Sequence, residues 1–142
     1  MFSVSFFSYI CAQHLHRDTN FISDLLMSYR YINTSYLEMV TGGDRGITDE
    51  LVTIFRQQVD EFYQKMLAAN TPSDYQVLSQ IAHKAKSSVA IMGMDDMASI
   101  LKTLEINARD AKSAESFQIV IKAFREQTAE AIAELDIYLK SL

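Results

Sequence analysis

Residues 71–93 read TPSDYQVLSQIAHKAKSSVAIMG. Thr71 is a capping residue, and Pro72 takes the first helical position, where its missing N–H leaves nothing unpaired. Asp74 adds an acid to the first turn. Tyr75, Leu78, Ala82, Ala85, Val89 and Met92 then recur at alternating steps of three and four. That period gathers apolar side chains on one face of an α-helix. Gly93 stops the pattern. A helix with so long an apolar stripe is not stable alone in water, so the rest of the chain has to cover it.

The neighbouring stretches carry the same period. After Gly42, Gly43 and Gly46, the residues Ile47, Leu51, Phe55, Val59, Phe62 and Met66 predict a helix running to about Ala69. Downstream, Met97, Leu101, Leu104, Ala108 and Ala111 predict another. Ser113 is placed to cap a last one, with Phe117, Ile121, Phe124, Thr128, Ala131, Leu135 and Tyr138 facing in. A capping-box pattern, Ser35 with Glu38, predicts a short helix over residues 35–41 that ends at Gly42. Four Gly and one Pro in 142 residues leave too few breakers for an all-β fold. The expected fold class is all-α. Residues 34–142 should form an antiparallel four-helix bundle, with helices of roughly five turns joined by short connections and a short helix over one end.

Residues 1–33 form an N-terminal extension. Phe21, Ile22, Leu25, Leu26 and Tyr29 are spaced for one more helix, with no partner face reserved for it. Residues 1–12, MFSVSFFSYICA, are apolar but fall short of the ~20 residues that span a bilayer. No Lys or Arg precedes Arg17, and no small residue stands just before Cys11, so neither a secretory nor a lipoprotein signal is expected. Met27 and Met39 are further candidate starts. The chain is expected to be cytoplasmic. Hydrophobic residues at 49% and charged residues at 22% suit a soluble globular domain. The net charge of −5 is opposite in sign to that of a nucleic-acid binder. Cys11 is the single cysteine, which excludes an internal disulfide framework and a cysteine-based zinc site.

One residue of the 71–93 helix stands off its stripe. With Ala82 at 0° and about 100° per residue, the apolar positions span an arc from about 260° to 20°, and His83 falls at about 100°. Ser79, Lys86, Ser87 and Ala90 share its face. Three of these four are small, which leaves the imidazole standing on an accessible patch. Lys86, one turn on, can reach anything bonded to the ring, and Lys84 flanks it. Most histidines on helix surfaces are simply solvated. The small neighbours and the lysine at i+3 set this one apart.

The run Ala82-His83-Lys84-Ala85-Lys86-Ser87-Ser88-Val89-Ala90-Ile91-Met92-Gly93 closely resembles the active helix of histidine-containing phosphotransfer (HPt) domains of bacterial two-component phosphorelays. Their pattern is A-H-x-L-K-G-S-x-x-x-L-G. His83 matches the phosphoryl-accepting histidine, Lys86 the lysine three later, Ser88 the serine five later and Gly93 the glycine ten later. Met97, Leu101, Leu104 and Glu105 resemble the family's next helix. Tyr36-Leu37-Glu38 with Gly42-Gly43-Asp44 is similar to its entry segment, so the likeness covers about residues 35–140. Ser87 replaces the glycine that usually lets a partner approach the ring, and Ala85 replaces a larger apolar residue. Residues 1–33 have no counterpart.

The resemblance implies a phosphorelay intermediate, a histidine phosphocarrier rather than an enzyme. His83 would accept a phosphoryl group from the aspartyl phosphate of a response-regulator receiver domain and pass it to another receiver. The partners implied are receiver domains, a hybrid sensor histidine kinase, or both. A neutral imidazole has a ring nitrogen lone pair free to attack. Lys86 would stabilise the phosphoryl oxygens, and Lys84 with Lys86 would attract a receiver's acidic pocket. Ser79, Lys84, Ser87, Ala90 and Gly93 form the expected docking surface, with Met94 adding an apolar rim. No aspartate cluster flanks His83, so no cofactor of its own is expected and Mg²⁺ would come from the partner receiver. No glycine-rich nucleotide loop is present, so ATP-dependent self-phosphorylation is not expected.

Other chemistry lacks its residues. A metal-carboxylate bundle enzyme needs Glu-x-x-His pairs, and the residue three before His83 is Gln80. His14 and His16 offer two ligands at most, in the extension. Ser87 and Ser88 near His83 have no orienting acid or oxyanion hole for hydrolysis. The alternative reading is a docking or adaptor bundle that binds receiver or kinase domains without carrying phosphate. A purely structural relative has no need of His83 with Lys86.

Overall fold

The computed structural model describes residues 28–142; the sequence expectations for the apolar start, the single cysteine and the extra helix up to Leu26 lie outside them, and Tyr29, the last residue expected in that helix, is not helical. Among the described residues there are five α-helices and no strand: α1 Thr34–Thr41, α2 Arg45–Ala69, α3 Tyr75–Ile91, α4 Asp95–Arg109 and α5 Phe117–Ser141. Short 3₁₀ turns at Pro72–Asp74 and Ala114–Ser116 lead into α3 and α5. Helices α2 to α5 close into a ring, with α2 against α3 and α5, and α4 against α3 and α5. Cross-helix bonds run in opposing order: Arg56 pairs with Asp136 and Asn70 with Gln118, while Gln76 bonds to Arg109 and Ser79 to Glu105. The four helices are therefore antiparallel neighbours, as expected. Their lengths are unequal, at 25, 17, 15 and 25 residues rather than five turns each.

The core is apolar and continuous. Phe55, Phe117, Phe124, Leu78, Leu101 and Leu135 are fully buried on its inner faces. Every residue expected to face inward on α5 does so. Helix α2 is different in its first two turns, where Thr48 and Val52 are buried while Ile47 is half exposed and Leu51 only partly covered. The stripe starts one residue later than expected because Thr48 can hide its hydroxyl: Oγ1 donates to the Asp44 carbonyl at 2.7 Å.

Helix ends also differ from expectation. The cap of α1 is Asn33, whose side chain accepts from Tyr36 N, so Ser35 already lies inside the helix. Gly42 ends α1 in the left-handed region, as expected. Helix α4 stops at Arg109, leaving Ala111 exposed at φ 51°. Ser113 is itself left-handed at φ 54°, and it is its carbonyl, not its hydroxyl, that holds Ser116.

The end of the expected extension belongs to the bundle. The backbone N–H groups of Arg30, Tyr31 and Ile32 all donate to the Glu134 carboxylate, at 2.6, 2.9 and 3.1 Å. Ile32 is buried, and Tyr29 meets Tyr138 edge to face with ring centroids 6.2 Å apart. Asn33 N then donates to the Met92 carbonyl at 3.3 Å. Residues 28–33 thus form a strap from α5 to the α3–α4 turn. That turn needs Gly93 twice over. Its φ is 74°, and an added Cβ would run into Asn33, including Asn33 N at 2.8 Å. Gly93→Ala should lower stability by about 2 kcal/mol and release the strap. Chemical denaturation with hydrogen exchange at Asn33 checks this, and an unchanged midpoint would show that the strap yields without cost.

Candidate functional site

Helix α3 is pinned on both flanks. Toward α4, Ser79 Oγ donates to the Glu105 carbonyl at 2.7 Å and Gln76 Nε2 to the Arg109 carbonyl at 2.8 Å. Toward α2, Ser88 Oγ donates to Gln58 Oε1 at 2.7 Å. Ser79 and Ser88 are both buried, so their two bonds are partly shielded from competing water. Between the two flanks His83 projects outward, with its side chain 59% exposed.

The ring does not stand alone. His83 Nδ1 lies 2.7 Å from Glu105 Oε1, and Lys86 Nζ donates to Glu105 Oε2 at 3.0 Å. An ionised carboxylate only accepts, so Nδ1 carries a proton, and in the neutral ring the lone pair is then on Nε2. Glu105 is 22% exposed and Lys86 25%, so one carboxylate is shared by two donors at the edge of solvent. Burial pushes the Glu105 carboxyl up, but the hydrogen bonds from Lys86 and His83 and their charges outweigh it and hold the group below its usual range. The cluster is an exposed imidazole and an ammonium that share one carboxylate.

Of the residues expected around His83, Lys84 and Ser87 are exposed and Ala90 is half-buried. Ser79 is not on the open patch: it is 7% exposed and committed to the α4 backbone. Gly93 is half-buried, and Asn33 lies where a Cβ on it would point. Met94 is buried, so it forms no apolar rim. The exposed apolar side chain on this face is Ile91, two turns beyond His83 and one beyond Ser87. Glu105 had no part in the sequence reading except as a residue of a similar helix. Its role depends on the register of α4 against α3, which helical spacing within either helix does not contain.

A cleft of about 750 Å³, lined by Arg30, Asn33, Asp95 and Gln127 among others, lies at the strap end and does not include His83. Among the described residues no group of three or more His, Cys, Asp or Glu could hold a metal ion. No helix among them is long and apolar enough to cross a membrane. The family model that matches the chain is the Hpt domain, over residues 50–136. No curated protein and no solved structure matches it.

Proposed function

Because the chain belongs to the Hpt domain family, whose members serve histidine phosphotransfer in phosphorelays, we propose that His83 is its phosphoryl acceptor, charged by one receiver domain and discharged to another. The observation that carries this reading is the bond from His83 Nδ1 to Glu105, which leaves Nε2 as the outward nucleophile.

In the forward step Nε2 attacks the phosphorus of a receiver's aspartyl phosphate. The Nε2–P bond forms as the P–O bond breaks, and the aspartate leaves as carboxylate with the bonding pair. The proton stays on Nδ1, so the phosphorylated ring gains a positive charge that faces the Glu105 carboxylate. Lys86 is the cation nearest the incoming oxygens and can turn from Glu105 to them. Transfer to the second receiver reverses each of these changes. Mg²⁺ in this reading belongs to the receiver. Lys84, Ser87, Ala90 and Ile91 supply the surface on which the receiver sits, a mixed basic and apolar face.

The test is incubation of the full chain with a panel of phosphorylated receiver domains and Mg²⁺, followed by assay of acid-labile, alkali-stable phosphate. Label from at least one receiver, passed on to a second, is the expected result. A folded protein that binds receivers in titration but takes no label from any would instead be a docking module.

A further inference from the structure

Ser87 stands where the matching family pattern has glycine, and its position relative to the ring gives it a use. Looking down α3 with His83 at 0°, Ser79 and Lys86 lie at about −40° and −60°, Ser87 at about +40° and Lys84 at about +100°. Ser79 and Lys86 both bond to Glu105, so α4 is on the negative side. Lys84 shares a cleft with Lys65 and Ala68 of α2, so α2 is on the positive side. Nδ1 is turned to Glu105, which sends the opposite edge of the imidazole, with Nε2, toward the positive side.

Ser87 is the small hydroxyl residue on that side. Helical side chains lean toward the N-terminus, so a residue at i+4 lies over the turn that carries residue i. The Ser87 hydroxyl does so: Oγ donates to the His83 carbonyl at 3.4 Å, a long bond to an oxygen already within the helix ladder. The residue is exposed, and turning its hydroxyl outward gives up little.

We infer that the Ser87 hydroxyl is a hydrogen-bond donor to the phosphoryl group carried on His83 Nε2, and that it prolongs the life of the phosphohistidine. The inference rests on His83 being the acceptor. Lys86 and Ser87 then hold the phosphoryl oxygens from opposite edges of the ring. The hydroxyl favours the bound phosphoryl group over its loss to water, which suits a carrier that has to wait between two receivers.

The experiment follows loss of label at neutral pH from the purified phosphorylated chain, as wild type and as Ser87→Ala, Ser87→Gly and Ser87→Thr. Phosphoramidate serves as the donor, so that receiver docking plays no part, and a phosphorylated receiver panel is run alongside. Alanine and glycine variants should lose label about 3- to 10-fold faster than wild type, as expected for one lost hydrogen bond. Threonine, which keeps the hydroxyl, should restore most of the lifetime. Alanine is a better helix former than serine, so faster loss in that variant cannot be ascribed to a weakened helix. Equal lifetimes for wild type and Ser87→Ala would overturn the inference. So would fast loss from the glycine variant alone, which would indicate shielding by bulk, or failure of threonine to rescue. A wild type that takes label from neither donor would remove the carrier reading and this inference with it. Labelling with unchanged lifetimes would remove this inference only.

Discussion

His83→Gln abolishes acid-labile phosphorylation by every receiver and by phosphoramidate, and leaves the melting temperature within about 2 °C of wild type. Both halves of this expectation follow from the position of the ring. Among the described residues the side chain's one hydrogen bond is to a carboxylate at the edge of solvent, and exposed pairs of this kind contribute about 1 kcal/mol or less. Glutamine is a better helix former than histidine and can keep a donor facing Glu105. It has no nucleophilic nitrogen. Residual label on this variant would put the acceptor elsewhere, and the chain's other histidines are His14 and His16. A large fall in helicity would show that the ring holds the bundle together.

Glu105→Gln should slow phosphoryl uptake about 10- to 100-fold while leaving the fold intact, as measured by stopped-flow transfer and circular dichroism. The amide can donate as well as accept, so it no longer holds the proton on Nδ1, and it offers no charge to the phosphorylated ring. It also removes the charge that pairs with Lys86. The acid side of the stability curve gives a second readout. The Glu105 carboxyl is held below its usual range, against the pull of burial, by Lys86 and His83. Its contribution is therefore complete above the ordinary carboxylate range and is lost as pH falls through the lowered value. Melts taken from about pH 6 downward should show a steeper acid loss in wild type than in Glu105→Gln. Unchanged transfer rates would make the carboxylate a packing contact between α3 and α4 and no more.

The two predictions differ in what could be read in advance. His83 departs from its helix stripe by about a quarter turn, a property of residues 71–93 alone. Glu105 lies 22 residues further on, and its distance to the ring depends on how two helices are registered. Ser79 and Gly93 illustrate the same limit in reverse. Spacing put Ser79 on the open face, yet a backbone carbonyl of α4 claims it. Gly93 fits the family pattern locally, yet Asn33, sixty residues upstream, occupies the space where its Cβ would point.

What the sequence determined alone is whatever repeats within one helix: the all-α class, the four apolar stripes, the stop at Gly42 and the outlying histidine. Apolar burial is nearly additive along a periodic face, so local spacing carries it. The inner position of Thr48, the strap clamped by three N–H groups on Glu134, and the His83–Glu105–Lys86 cluster were decided by tertiary structure. Each depends on a directional hydrogen bond whose partner is chosen by packing. Distance and angle set such a bond, and neither is written in the order of residues along one chain segment.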